Sequence, residues 1–290
     1  MIRTLAFATL FLAAPGTLLA QDTMPANMAD RMAGARAAQA EAARMGEVLD
    51  ANAIAQRQYA GMVAGELGGG YRGAVSVPGE EPGTWMSLIV GQTGGEDAPL
   101  VALATYRIAQ GAIVSETLHP ASEAVELDGD LLAMARAQIV APRAVIASPT
   151  ASFCLDGEEA GDAASVTTLT FAMPPAEDGS FDTYVLNGPL ENGAIPLGKH
   201  YRVHFDEFGV IGDPDLLSDT CEVVTWDVDD TELAMRVYVT EYPDGEWPSA
   251  VQVFVSSLLP ISMGVVTGEI IWPMAGGMLA PPVPASEAGY

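Results

Sequence analysis

Basic residues are scarce. The 290-residue chain holds 12 Lys plus Arg against 38 Asp plus Glu, for a formal net charge of −26. Acidic residues are near their ordinary share of a charged content of about 25%, so the charge arises from missing cations. Lys199 is the single lysine. Such a surface has little with which to replace phosphate counterions, which excludes a nucleic-acid binder and disfavours anionic lipid. Beyond the first twenty residues no apolar run approaches the roughly 18 residues that a spanning helix needs, so no transmembrane segment is expected in the mature chain. No G-x-S-x-G elbow places a serine on a strand-to-helix turn. No glycine-rich phosphate loop precedes a helix, because Gly68, Gly69 and Gly70 follow one. Aromatic residues are few, at 7%, which argues against a sugar-stacking cleft. Only three histidines and two cysteines occur.

What is present begins with a leader. Arg3 supplies a positive start, Leu5 to Ala14 an apolar stretch, and Pro15 and Gly16 break it before Ala20. Residues 1–20 therefore read as a signal peptide cut after Ala20, and the protein as secreted or periplasmic. Cys154 and Cys221 both fall in the mature chain, where an oxidising compartment makes one disulfide bond the natural pairing. Two cysteines without a C-x-x-C pair lack the ligands for structural zinc. Hydrophobic residues make up 49% of this acidic protein, enough for a packed core.

The patterning predicts an α+β fold: a predominantly antiparallel β-sheet body with an N-terminal helical segment. Residues 21–68 are helical in character, with Met28, Met32, Ala35, Ala38 and Ala42 on one face. Asp50 is expected to cap a second helix that ends at the triple glycine. Residues 71–148 read as a β-meander plus a short helix from Gly129 to Val140, ended by Pro142. Residues 151–275 form the β-rich region with the disulfide, including strands over 199–205, 234–242, 250–259 and 263–272. The tail, residues 276–290, carries Pro281, Pro282 and Pro284 and is expected to be disordered.

Several short motifs in the last third recur in a fixed order. Asp178, Gly179, Phe181, Asp182 and Tyr184 precede Pro196, Leu197, Gly198, Lys199, His200, Tyr201 and Arg202. Ser218, Cys221, Pro248, Ser249, Val253, Phe254 and Trp272 follow. Over roughly residues 178–275 this order resembles an uncharacterised family of secreted bacterial proteins. In that pattern a second glycine stands where this chain has Lys199, and a histidine where it has Gln252. The resemblance implies a shared fold and export, and no activity.

The chemistry candidates are His200, Arg202 and His204, on one alternating run. His200 and His204 share a face, yet four residues of strand separate them by about 13 Å, too far for one metal ion. Structural histidines are the plainer reading. A triad of Ser218, His200 and Asp206 can be written but has no motif behind it. Asp227, Asp229, Asp230 and Glu232 begin like a calcium loop, but an EF-hand glycine is replaced by Glu232, and a solvated turn is favoured. No metal and no cofactor is expected. The sequence assigns no enzyme class. The favoured function is a non-catalytic envelope or extracellular module that binds a protein or small-molecule partner. The alternative is a periplasmic hydrolase with a site near His200, Arg202 and His204.

Overall fold

In a computed structural model, residues 25, 27–63, 70–92, 95, 97–120, 124–155, 158–160, 166–188, 190, 193–230, 232 and 236–289 are described. The expected leader and the triple glycine's first two residues lie outside them. Among the described residues, no helix is long and apolar enough to cross a membrane.

The fold is α+β with antiparallel sheets, as the patterning predicts. Helix α1 spans Met28–Met62. A meander follows: β1 Tyr71–Pro78, β2 Thr84–Gln92, β3 Leu100–Ala109 and β4 Ala112–Leu118 pair in that order, and β5 Val125–Glu126 also pairs with β3. Helix α2, Gly129–Ala147, leads to a small ladder of β6 Cys154–Leu155 and β7 Glu158–Glu159. The second sheet is built from β8 Thr168–Ala172 and β9 Phe181–Asn187. After β10, Ala194–Pro196, the chain adds β11 His200–Asp206 and β12 Gly209–Ser218, giving the order β12-β11-β9-β8. Strand β13, Val223–Thr225, pairs back on β10. Strand β14, Val237–Glu241, is joined by helix α3, Ala250–Leu258, to a parallel neighbour, β15 Ser262–Thr267. That is a crossover, which parallel pairing requires. Strand β16, Ile270–Ala275, completes the third sheet with β17 Met278–Leu279 and β18 Val283–Pro284.

Two apolar cores flank the second sheet. On one side α2 is sandwiched between the first sheet (Val75, Leu88, Val90) and the second (Val185, Tyr201, Val203). On the other, Phe171, Tyr184 and Leu186 pack with Trp272, Phe254 and the N-terminal half of α1. The C-terminal half of α1 lays Ala51, Ala55 and Tyr59 on the first sheet. Thus α1 is a spine that bridges the first and third sheets. Arg31 fastens its start. The Arg31 Nη2 donates to Thr267 Oγ1 at 2.7 Å and to the Thr267 carbonyl at 3.0 Å, and Nε donates to the Glu246 carbonyl at 2.7 Å. Small residues let the helix approach closely: a Cβ at Gly34 would stand 2.4 Å from the Trp247 ring.

Cys154 and Cys221 form the expected disulfide, with Cα atoms 5.4 Å apart at a sequence separation of 67. Beside it, the buried Lys199 side chain joins Asp219 and Glu159. Lys199 adopts φ 55°, the left-handed region that favours glycine. A Cβ on the preceding Gly198 would lie 2.0 Å from the Thr220 carbonyl oxygen, so that glycine is demanded by close approach.

Five local expectations are corrected. Helix α1 runs through Asp50 without a break, because the buried small-residue face continues as Ala51 and Ala55. Helix α2 runs through Pro142 to Ala147, carried by the buried Ala141 just before the proline and Val145 beyond it. Residues 250–258 are helical, not a strand. Val251 to Ser256 are all buried, and a short continuous apolar run does not reveal its period. The deciding signal is a capping box: Ser249 accepts from the Gln252 N–H, and the Gln252 side chain accepts from the Ser249 N–H. The expected strand over 263–272 is a hairpin, turned at Gly268 with φ 62°. The tail is not disordered over 276–289: β17 and β18 add to β16, and Ala285 is buried. Prolines are tolerated there because edge positions need no donor.

Candidate functional site

Strand β11 sits in the middle of the second sheet, so its polar face meets side chains from both neighbours. His204 is directly opposite Asp182 on β9, and Arg202 is opposite Asp215 on β12. The His204 Nδ1 lies 2.5 Å from Asp182 Oδ1, and its Nε2 lies 2.9 Å from Asp215 Oδ2. Arg202 donates to the same Asp215 oxygen from Nη2 at 2.9 Å and from Nε at 3.3 Å. The Arg202 Nη1 also stands 3.9 Å from both Asp182 Oδ2 and Glu41 Oε1. Glu41 comes from α1 and accepts the Tyr184 hydroxyl proton. Three strands and one helix therefore converge on a network of three carboxylates, one guanidinium, one imidazole and one phenol.

The electrostatics follow from half-burial. Burial pushes Asp215 upward, but hydrogen bonds from Arg202 and His204 outweigh it and hold the carboxyl below its usual range. Burial alone would lower Arg202, and Asp215 with Asp182 more than compensates. The Tyr184 phenol is pushed up by burial and further by the Glu41 charge, so it stays a donor. Carboxylate oxygens face both nitrogens of His204. Only a doubly protonated ring donates to both; a neutral ring leaves one carboxylate against a lone pair.

The network floors one end of a cleft of about 760 Å³. Its wall is α1 at Glu41, Arg44 and Glu47; its rim is the β1–β2 turn at Glu81 and the start of β2 at Trp85; its far side is the β8–β9 turn. The rim is held in shape by Thr84, whose Oγ1 donates to the Glu81 carbonyl at 2.6 Å. Four carboxylates (Glu41, Glu47, Glu81 and Asp182) line it against Arg44 and His204.

The three sequence candidates separate. Arg202 and His204 belong to this network. His200 does not: it is fully buried, not on a solvated polar face. Its Nδ1 accepts from the Asn187 backbone N–H at 3.0 Å, so the ring proton sits on Nε2 and points at the Pro196 carbonyl 3.2 Å away. Burial pushes its pKa down to about 4. The Ser218, His200, Asp206 arrangement is not assembled. Asp206 caps the β11–β12 turn, accepting from the Phe208 and Gly209 N–H groups at 2.8 and 3.1 Å. Ser180, which lines the cleft, donates its hydroxyl to Asp178 at 2.7 Å. His119 contacts Thr105 Oγ1 at 2.9 Å, away from the cleft.

Asp227 and Asp230 make local turns, accepting from the Asp229 and Glu232 N–H groups at 3.0 and 2.8 Å, and Asp230 pairs with Arg236 at 2.5 Å. Among the described residues no group of three or more His, Cys, Asp or Glu side chains is placed to hold a metal ion. Glu41 was invisible to sequence reasoning, because nothing on an alanine-rich helix announces a partner 143 residues away at Tyr184. No protein-family model, no curated protein and no solved structure matches this chain.

Proposed function

We propose that this protein is an exported, non-catalytic binding module of the periplasm or extracellular space, and that its partner seats in the cleft between α1 and the second sheet. The observation that carries this reading is the occupancy of His204. Both nitrogens are engaged by carboxylates, so the ring has no free position from which to activate a hydroxyl or a water. The disulfide supports export, as does the resemblance of residues 178–275 to secreted bacterial proteins. The cleft has the volume of a small-ligand site, within the usual ~300–1,000 Å³, and lies at a junction of elements where such sites concentrate. Its surplus of carboxylates and the Trp85 ring suit a cationic group on the partner.

A thermal-shift series with spermidine, glucosamine and a lysine-bearing hexapeptide tests this. At least one cation raises the melting temperature, and the Glu47→Gln, Glu81→Gln double variant loses the increase. His204-dependent turnover of a chromogenic ester would instead support a hydrolase.

A further inference from the structure

Between Arg202 and His204 the register of β12 slips. Arg202 faces Asp215, His204 faces Ile211, and Gly212, Asp213 and Pro214 stand opposite Val203 alone. Gly212 turns this bulge at φ 68°. Among the described residues β12 is the edge of its sheet, so no second strand holds the bulge from outside. Gly212 and Asp213 are exposed, and Ile211, at 45% exposure, lines the cleft. Asp215 ties the end of the bulge back to β11 through His204 and Arg202.

The two carboxylates that clamp His204 differ in what else they hold. Asp215 Oδ2 takes Arg202 Nη2 and Nε as well as His204 Nε2. Among the described residues Asp182 Oδ1 has His204 Nδ1 as its one hydrogen-bond partner, and Arg202 Nη1 stands 3.9 Å from the other oxygen. A ring that gives up one proton therefore keeps the one on Nδ1, since losing it strands Asp182 while Asp215 retains Arg202. The Nε2 then turns a lone pair on Asp215 Oδ2 at 2.9 Å, acceptor against acceptor. No other titratable or charged group nearby replaces the missing donor. Tyr184 donates to Glu41, Asp206 caps the β11–β12 turn, and Asp213 is a further acid on the bulge itself. Arg44, Glu47 and Glu81 line the same cleft, with no hydrogen bond to the ring or to Asp215 among the described residues.

We propose that His204 is a proton-operated clamp on the β12 bulge. With two protons the ring ties β12 to β9; with one it lets go of Asp215, and the Ile211 side of the cleft loosens as pH rises. The lost proton passes to solvent, and Asp215 stays with Arg202. The device does not depend on what the cleft binds, and its test needs no ligand.

The test uses the full chain, exported into an oxidising compartment, purified and labelled for NMR. The ring nitrogens of His204 and the backbone amides are followed from about pH 5 to about pH 9, which brackets the ordinary range of a histidine. Order parameters at Ile211, Gly212 and Asp213 stay near about 0.85 while the ring carries both protons and fall below about 0.6 as Nε2 loses its own. The turn at residues 178–180, on the far side of the cleft, does not change. In Asp215→Asn the side-chain N–H donates to the Nε2 of the neutral ring, and the bulge stays ordered throughout. Order parameters flat through the wild-type titration, a loss shared equally by residues 178–180, a neutral ring protonated at Nε2, or a ring still doubly protonated at the alkaline end each overturn the proposal. So does an Asp215→Asn bulge that loosens with the ring as the wild type does.

Discussion

The Nδ1 of His204 stands 2.5 Å from Asp182 Oδ1, a contact between directly opposed residues on neighbouring strands. Cross-strand opposition fixes this pair more firmly than long side chains could, because the backbone register holds both Cβ atoms within about 5.5 Å. Asp215, opposed to Arg202 on the other neighbouring strand, reaches the His204 Nε2 across a register shift, so the imidazole is clamped from both sides.

Arg202→Met should destabilise the protein by about 1–3 kcal/mol in urea unfolding, because Asp215 loses its strongest donor while staying half-buried. The Asp215 carboxyl should also titrate higher in the variant. Its folded value lies below the unfolded one, so its contribution is present above the unfolded pKa and lost as pH falls through the folded value. Carbon-detected NMR titration of the Asp215 carboxyl checks the direction.

His200 predicts an acid limb. Its folded value, about 4, lies below the reference of 6.5, so the unfolded chain takes up the proton first. Stability is full above 6.5 and falls as pH drops toward 4, by on the order of 3 kcal/mol from this group. Urea unfolding at stepped pH should show that loss. In His200→Gln, which can still accept from the Asn187 N–H, the slope between pH 6.5 and 4 should be shallower.

Gly198→Ala should cost about 1–3 kcal/mol or prevent folding, since its Cβ meets the Thr220 carbonyl oxygen at 2.0 Å. A neighbouring control is Lys199→Gly. It relieves φ 55° but gives up the contacts to Asp219 and Glu159, so its effect on the melting temperature should be much smaller.

Removing both sulfurs, as Cys154→Ser with Cys221→Ser, should lower stability by about 2–4 kcal/mol, measured by equilibrium unfolding. The 67-position closure is released, and β6, with its Lys199 lock, loses its covalent tie to the end of β12.

Arg31→Met should cost about 2–4 kcal/mol, because it strips three hydrogen bonds from buried and half-buried acceptors at Thr267 and Glu246. Lysine at this position should rescue little, having no planar fork to span Thr267 and the Glu246 carbonyl.

Periodicity made the strands of the meander, the second sheet and the antiparallel character legible, because one face of each strand is buried and alternation records it. The cysteine pair was legible from compartment alone. Ala250 to Leu258 was not, since Val251 to Ser256 are all buried and so short an apolar run does not declare its period. Nor was the ordered tail, whose prolines suggest disorder until β16 is there to pair with. At the site, Arg202 and His204 were visible as a polar face on a strand. What that face does depended on Asp182, Asp215 and Glu41, which arrive from other elements through long-range register that no local pattern encodes. His200 shows the same limit from the other side: a bulge between His200 and Tyr201 shifts its pairing, and its ring ends in the core.

The decisive measurement compares steady-state hydrolysis of nitrophenyl esters, phosphates and glycosides by the wild-type chain, His204→Ala and Asp182→Asn, each verified as folded. A non-catalytic cleft predicts that all three match the buffer blank on every substrate. A wild-type rate above the blank that falls a hundredfold in His204→Ala would contradict it.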